Sequence, residues 1–283
     1  MNVNPPRTFA LVGPGRAGSC LALALVARGW RATAVAGRSE GSSTTRAAVA
    51  RLGCPPRAVP EAGRGADLVL VTTPDTAISA IACALAPGLE PGALVVHCSG
   101  ALGLEVLAAL RSERPDVVVG ALHPLQTFAS ADARVLDGVW AAIDGPLAVT
   151  DLAVELGLRP FVVDDASRAL YHAAAVVASN HLVALLGQVT RLAGAAGVPA
   201  EAFWPLVRTS LANVEAHGPE SVLTGPVARG DLPTVAAHVA ALPAPERATY
   251  RALAREALTL TGRQDPDLLD LLDLSVADPE VAA

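Results

Sequence analysis

The chain has 283 residues, of which 52% are hydrophobic and 17% charged, so a folded protein with a sizeable core is expected rather than a disordered one. The net charge of −6 gives no general attraction to nucleic acid or to an anionic membrane, and neither partner is predicted. All 21 basic residues are arginine. The four cysteines form no CxxC pair, which predicts reduced thiols, a cytoplasmic location and no metal site.

Apolar runs alternate with helical patterns through the first half of the chain. Strands are predicted near residues 9–13, 32–37, 67–73, 93–99 and 117–123, with weaker ones at 139–143 and 160–163, and helices near 16–28, 44–52 and 75–86. This alternation predicts an α/β fold with a doubly wound parallel sheet that helices cover on both faces.

The pattern becomes purely helical after Asp165. One long helix is predicted from Ser167 to Gly194, followed by helices near 200–214, 232–242, 245–262 and 266–273. We therefore predict an α/β domain over residues 1–164 and an all-α domain over 165–283, whose apolar character favours a homodimer. The first seven residues contain no apolar signal core, and no uninterrupted apolar run reaches the ~18 residues of a membrane span.

A glycine-rich segment, VGPGRAGS, follows the first predicted strand and opens the first helix. Its GxGxxG spacing permits a tight turn, close approach of a pyrophosphate to the backbone, and close packing of helix on strand. The helix N-terminus adds N–H groups and a positive dipole end. The predicted dinucleotide site therefore consists of Gly13, Pro14, Gly15, Arg16, Ala17 and Gly18. The alternative is a tight turn that binds no ligand.

The end of the second strand indicates which dinucleotide is bound. An NAD site usually has an acidic residue there for the ribose 2′-hydroxyl. Here Gly37 takes that place, and Arg38 and Ser39 follow. A guanidinium and a hydroxyl suit a 2′-phosphate, so NADP(H) is the predicted cofactor. The alternative is that Arg38 is a solvated turn residue.

Three later strands end in polar or turn-forming segments, TTPD, HCSG and HPLQTF. Ligands of open parallel sheets lie outside the carboxyl ends of the strands, so these segments face one crevice. Loop capping is the alternative explanation for each segment alone. The residues predicted to line the crevice are Thr72, Thr73 and Pro74 beside the cofactor, Ser99 and Gly100 beside a substrate carboxylate, and His123, Gln126 and Thr127.

The segment LYHAAAVVASNHL, residues 170–182, places polar residues in an otherwise apolar helix. At about 100° per residue, His172, Ser179 and Asn180 share one face. Reduction of a carbonyl needs a proton donor, which a histidine can be near neutral pH, while an asparagine can orient the substrate. Alternatively, Tyr171, His172 and Asn180 are buried polar residues satisfied at a helix–helix or dimer contact.

The motifs GPGRAGS, TTPD, HCSG, ALHPLQTF, YHAAAVVASN and LTGPVARGD occur in this order over nearly the whole chain. In this the chain resembles the Rossmann-like proteins with a C-terminal domain of unknown function 2520, a branch of the 6-phosphogluconate dehydrogenase-like reductases. The resemblance implies an NADP-binding Rossmann domain and a helical substrate domain that commonly dimerises. Some members are regarded as alternative ketopantoate reductases of pantothenate synthesis.

The sequence departs from the wider superfamily at one catalytic position. Hydroxyacid dehydrogenases and standard ketopantoate reductases use a KxxxN helix motif with lysine as the proton donor. Asn180 matches the asparagine, but Val176 stands at the lysine position. His172, one turn earlier, is the first replacement to consider, and His123 is its rival because its His-Pro loop resembles that of prephenate dehydrogenases. The resemblance also implies that Arg229, beside Asp231, reaches the cleft and binds a substrate carboxylate; an exposed ion pair is the alternative.

These observations predict an NADPH-dependent reductase of a small 2-oxo acid, with 2-dehydropantoate as the first candidate. Imine reduction or prephenate-type oxidation on the same scaffold is the first alternative. A dinucleotide-binding sensor without catalysis is the second, because the superfamily lysine is missing.

Overall fold

The computed structural model describes residues 7–129 and 136–273, so residues 1–6, where the sequence predicts no secretory signal, lie outside the described part. The chain forms two compact units, Met1–Ser179 and Asn180–Ala283. The first contains a seven-stranded sheet and the second is helical, as the α/β prediction requires.

The sheet has the strand order β2-β1-β3-β4-β5-β6-β7. All neighbouring strands are parallel except β5 and β6, which are antiparallel, so the prediction of a parallel sheet is wrong for that pair. The apolar pattern that identifies a buried strand carries no information about its direction. The strands are β1 (Thr8–Val12), β2 (Arg31–Ala36), β3 (Leu68–Val71), β4 (Leu94–His97), β5 (Val118–Pro124), β6 (Trp140–Asp144) and β7 (Arg159–Val162).

Both faces of the central strands are buried, which is why these strands consist mainly of apolar residues. In β1, Phe9 and Leu11 point into one core layer, while Ala10 and Val12 point into the other. The helices of this unit supply the outer walls of the two layers. They are α1 (Arg16–Ala27), α2 (Ser43–Leu52), α3 (Val59–Ala62), α4 (Ile78–Leu85), α5 (Ala108–Glu113), α6 (Leu147–Glu155) and α7 (Arg168–Val176).

The long helix predicted from Ser167 to Gly194 is not a regular α-helix throughout. After α7, a π-helical turn covers Val177–His181, and α8 follows over Leu182–Ala195. A π turn contains more residues than an α turn, so residues before and after it do not keep the 100° spacing on which the predicted shared face depends. Such turns are frequent at functional sites.

The second unit has a small apolar core that includes Val235, Leu258 and Leu268. A buried polar contact adds to it, because the Gln188 amide donates to the backbone carbonyl of Glu246 over 2.9 Å. The remaining helices are α8, α9 (Trp204–His217), α10 (Pro219–Val222), α11 (Pro226–Arg229), α12 (Leu232–Ala241), α13 (Ala244–Thr261) and α14 (Pro266–Leu271).

One continuous helical segment in the described residues, Asp165–Ala195, is long and apolar enough to cross a membrane by length and composition, with a mean hydropathy of 1.5 in its most apolar window. Helices of soluble proteins and signal sequences meet the same criterion, so a single such segment is weak evidence for a span.

Candidate active site

The carboxyl ends of the five parallel strands β1–β5 lie along one edge of the sheet. Val12 pairs with Ala36 on one side and Val71 on the other, Val71 pairs with His97, and His97 pairs with Ala121. The segments that follow these residues therefore emerge side by side. They include the glycine-rich turn and the three polar strand ends that the sequence predicts to share a crevice.

Two of the three motif glycines are required by packing. Gly13 has φ +94°, and a Cβ there would lie 2.7 Å from the backbone of Thr72 and Thr73. A Cβ on Gly18 would lie 2.6 Å from the Gly13 carbonyl oxygen. The Thr72 hydroxyl donates to that same carbonyl over 2.6 Å. These contacts hold the turn between β1 and α1 tightly against the end of β3.

Gly15 differs from the other two glycines because nothing packs on it. Apart from its own chain neighbours, no atom of the described residues lies within 4 Å of the place where its Cβ would be, and its φ of −76° is open to any residue. It immediately precedes α1, which has no side-chain cap among residues 7–129 and 136–273, so the N–H groups at the start of the helix face outwards without a capping side chain there. A bare backbone beside an uncapped helix N-terminus fits a pyrophosphate.

Thr73 supplies a further polar group at this edge. Its hydroxyl oxygen is buried and forms no hydrogen bond with the described part of the protein. Buried hydroxyls are rarely left unpaired, because the desolvation costs about 1–3 kcal/mol. Thr72, Thr73 and the exposed Pro74 lie together at the strand end where the sequence predicts the middle of a dinucleotide.

The end of β2 explains why an acidic residue is absent there. A Cβ at Gly37 would clash with the Thr45 hydroxyl and would lie 3.3 Å from the Pro14 ring. Arg38 and Ser39 come next and are exposed. No ion pair to Arg38 occurs within residues 7–129 and 136–273. Arg38 therefore has no carboxylate partner there that a phosphate would have to displace.

His97 ends β4 and is fully buried. Its Nδ1 accepts from the Ser99 backbone N–H over 3.3 Å, which places the ring proton on Nε2. Burial lowers the pKa of His97 to about 4, so the imidazole is neutral at pH 7. The next residue, Cys98, has its pKa raised to about 12 by burial, and its thiol is therefore protonated. Neither group supplies a charge or a nucleophile at neutral pH.

The buried neutral state of His97 predicts a pH dependence of stability. The pKa is lower in the folded chain, so the unfolded chain binds more protons between pH 6.5 and 4. We expect the free energy of unfolding to be highest above pH 6.5 and to fall as the pH drops through this window, by on the order of 3 kcal/mol for His97. Denaturant titrations of the wild type and His97→Asn from pH 7 to 5 test this. Identical pH slopes for the two proteins would contradict it.

His123 lies at the end of β5 and contacts α7. Its Nδ1 is 2.7 Å from the hydroxyl of Tyr171, and the two rings meet edge to face with centroids 5.7 Å apart. The His172 ring is 6.1 Å from His123, centroid to centroid. A Cβ on Gly100 would lie 2.7–2.8 Å from three atoms of the His123 imidazole. Gly100, which is predicted to offer its N–H to a substrate, therefore also packs directly against the His123 ring.

The other predicted residues have local contacts of their own. The Ser99 hydroxyl oxygen accepts from the backbone N–H groups of Ala101 and Leu102 over 3.2 and 3.1 Å, which matches the loop-capping alternative and leaves the hydroxyl proton available. Gln126 is exposed, and its side-chain oxygen accepts from the Thr127 N–H.

Two predicted residues belong to the second unit. Asn180 is in the π-helical turn and is exposed. Arg229 is the last residue of α11, and its side chain is 65% exposed. Its guanidinium lies 3.9 Å from the Asp231 carboxylate, which matches the alternative of an exposed ion pair.

Sequence reasoning missed Tyr171 as a functional residue and considered it only as a structural one. The helical-face argument favoured His172, its neighbour, whereas Tyr171 is the α7 side chain that bonds to His123. The sequence held one signal, since the chain has only two tyrosines and one interrupts an apolar helix. Arg168 was missed as well; it is buried and forms ion pairs with Asp144 and Asp165.

Comparison with known proteins agrees with this architecture. A Rossmann-like domain model matches residues 2–124, and the model of the domain of unknown function DUF2520 matches residues 141–257. No curated protein matches the chain.

Several solved structures share the fold. A proposed NADP oxidoreductase from Bacteroides fragilis is 22% identical with a TM-score of 0.75, over 90% of this chain and 98% of that one. A protein from Thermotoga maritima is 25% identical with a TM-score of 0.66, over 90% and 100%. An imine reductase from Myxococcus stipitatus, in complex with NADP+, is 20% identical with a TM-score of 0.62, over 95% and 100%. The chain thus belongs to the proteins that join an amino-terminal Rossmann-like domain to a DUF2520 domain.

Proposed function

We propose that this protein is an NADP(H)-dependent reductase that delivers a hydride to a small carbonyl or imine compound at the carboxyl edge of the sheet. The observation that carries the proposal is the glycine-rich turn, where Gly15 is bare while Gly13 and Gly18 are packed. A purely structural turn would not need a glycine at position 15. The names of two similar structures, a proposed NADP oxidoreductase and an imine reductase with NADP+, support the same activity.

Different residues of this edge bind different parts of the cofactor. The backbone of residues 13–18, with Pro14 and Arg16 among them, holds the pyrophosphate at the start of α1. Thr72, Thr73 and Pro74 border the central part, where the unpaired Thr73 hydroxyl gains a partner. Arg38 and Ser39 bind the 2′-phosphate. When bound, NADPH supplies the hydride.

Within this activity we propose a 2-oxo acid as the substrate, with 2-dehydropantoate as the first compound to test. Ser99 and Gly100 lie next to His123 at the strand ends, and the Ser99 hydroxyl proton can be donated to a substrate oxygen. Gln126 is the further residue of this unit proposed for substrate binding. A cyclic imine is the second candidate, favoured by the likeness to an imine reductase over nearly the whole chain.

The test is NADPH oxidation by the purified protein with a panel of 2-oxo acids and cyclic imines, and with NADH as the control cofactor. We expect turnover with at least one member of the panel and a preference for NADPH over NADH. Tight NADPH binding without turnover of any compound would favour the dinucleotide sensor instead. The absence of NADPH binding would contradict both.

The preference for NADPH is expected to depend on Arg38. Replacing Arg38 with alanine removes a charge-assisted contact to the 2′-phosphate, and we expect NADPH affinity to fall about 10- to 100-fold while NADH affinity stays unchanged. Arg31→Ala is the matched control, because Arg31 is an exposed arginine at the opposite end of the same strand. Fluorescence titration with both cofactors measures this. An equal loss of NADPH affinity in the two variants would mean that only overall charge matters.

We also propose that the protein forms a homodimer through its helical unit. Large apolar side chains of α8 and α9 are exposed in the single chain, with Val183 69%, Leu206 64% and Leu211 50% accessible. Exposed apolar residues at this density favour contact with a second copy. Sedimentation equilibrium tests the proposal, and a monomer at micromolar concentration would contradict it.

A further inference from the structure

The contact between His123 and Tyr171 is held in place from both sides. On the His123 side, the backbone of Gly100 leaves no room for a side chain between itself and the imidazole. On the Tyr171 side, the ring of Phe161 meets the phenol edge to face with centroids 5.8 Å apart, and Trp140 packs in the same way on Phe161. The 2.7 Å hydrogen bond therefore joins two side chains whose neighbours fix their positions.

The pair is neutral at physiological pH. Burial, and after it the neighbouring His172, lowers the pKa of His123 to about 4, against the opposing effect of Asp75. Burial raises the pKa of Tyr171, against the opposing effect of Arg168. The pair thus carries one phenol proton and one imidazole proton. A neutral imidazole is a poor acid, whereas a phenol can give up its proton if the resulting phenolate is stabilised.

We propose that Tyr171 is the catalytic residue that gives its proton to the substrate, and that His123 is the positioning residue that stabilises the phenolate through Nδ1–H. This inference rests on the proposed reductase function. It replaces His172 as the first candidate for the proton donor, because His172 makes no hydrogen bond to the residues that the structure describes, whereas Tyr171 does.

The carbonyl or imine carbon receives the hydride from NADPH, and the electron pair of the double bond moves to the oxygen or nitrogen. That atom takes the proton of the Tyr171 hydroxyl. The phenolate that forms accepts a hydrogen bond from Nδ1–H of His123, a charge-assisted contact that is stronger than the neutral one it replaces. Tyr171 then takes up one proton from the solvent before the next turnover, so each turnover consumes one NADPH and one solvent proton.

A second tyrosine–histidine pair in the chain provides a control. In the second unit, Nδ1 of His238 is 2.9 Å from the Tyr250 hydroxyl, and the rings are again edge to face, with centroids 6.0 Å apart. This pair joins α12 to α13 and includes none of the strand ends that form the candidate site. Since the two pairs share residue types and ring geometry, a difference between their variants reports the location of the pair rather than the general loss of a tyrosine–histidine hydrogen bond.

The kinetic test compares Tyr171→Phe, Tyr250→Phe and His172→Ala. We expect Tyr171→Phe to lower kcat about 10²- to 10⁴-fold, the range of general acid catalysis, with the dissociation constant of NADPH unchanged. Tyr250→Phe should keep wild-type kcat. A Tyr171→Phe enzyme within about threefold of wild type, or a larger loss in His172→Ala, would overturn the inference while leaving the reductase function intact. A wild-type protein that reduces no panel compound would instead contradict the proposed function, and the inference with it.

A spectroscopic test does not depend on turnover. Because the chain has only two tyrosines, the Tyr250→Phe protein reports the ionisation of Tyr171 alone by ultraviolet absorbance. In that background, His123→Leu removes the donor to the phenolate, and we expect the pKa of Tyr171 to rise by about one pH unit or more. His123→Asn places an amide N–H near the Nδ1 position and should restore most of the difference, in both the titration and kcat. An unchanged Tyr171 ionisation in His123→Leu would overturn the role of His123.

Discussion

Gly15→Ala is expected to weaken NADPH binding at least about tenfold without changing the melting temperature. The position tolerates a methyl group in the free protein, since the described part of the chain places no non-neighbouring atom within 4 Å of the Cβ site and the φ of −76° is allowed for alanine. The methyl group would occupy the space that the backbone leaves for a phosphate. The Gly15→Ala variant should therefore lose NADPH affinity while it keeps the stability of the wild type.

Gly13→Ala is the matched comparison for Gly15. Its φ of +94° is unfavourable for alanine, and its Cβ would lie 2.7 Å from the backbone of Thr72 and Thr73, which cannot move aside as a flexible side chain can. We expect a loss of about 1–3 kcal/mol in the free energy of unfolding together with the loss of binding. Differential scanning calorimetry and NADPH titration measure the two effects. If Gly15→Ala bound NADPH as well as wild type, the turn would not hold the pyrophosphate.

Arg168→Met is expected to cost about 3–5 kcal/mol of unfolding free energy, the largest effect on stability that we predict for the α/β unit. The Arg168 side chain is only 5% exposed, and it donates to Asp144 over 2.6 Å and to Asp165 over 2.7 Å. Removing it leaves the partly buried Asp144 carboxylate without its cation. Arg168 also begins α7, the helix that carries Tyr171 and His172, so activity should fall along with stability.

Asp165→Asn is the control for Arg168→Met. The Asp165 side chain is 67% exposed and remains hydrated without its partner, so we expect a change below about 1 kcal/mol. Urea denaturation of the two variants and the wild type measures the difference. Equal stability of Arg168→Met and Asp165→Asn would contradict a structural role for the buried pair. The Arg168→Met/Asp144→Asn double variant should recover part of the loss, because it removes the uncompensated carboxylate.

The fold was predictable from the sequence where local pattern determines structure. All seven predicted strands are present, because strands buried on both faces must be apolar and are bounded by turn residues. Helices α9, α12, α13 and α14 lie close to their predicted ranges for the corresponding reason, the 3.6-residue period, whereas the one-turn helices α10 and α11 were not predicted. The antiparallel direction of β6 and the π turn at Val177–His181 were not predictable, because neither feature changes the spacing of apolar residues in the sequence.

The candidate site was predictable in part for a similar reason. The glycine-rich turn is a local motif with a fixed glycine spacing, so sequence alone points to it. The Tyr171–His123 contact joins residues 48 positions apart, on a helix and a strand. It depends on the bare backbone at Gly100 and on the packing of Phe161, neither of which carries a sequence signal. The sequence does not show which of the adjacent residues 171 and 172 bonds to His123, because that depends on the orientation of α7.

Hydride transfer at this site is measured by the transfer of label from NADPH that carries deuterium at both C4 positions of the nicotinamide. The wild-type protein is incubated with this cofactor and the panel of 2-oxo acids and cyclic imines, and the products are analysed by mass spectrometry and NMR. We predict one deuterium at the former carbonyl or imine carbon of at least one product, and a strongly reduced yield of that product with Tyr171→Phe. If NADPH is bound but no compound acquires deuterium from it, hydride transfer at this site is contradicted.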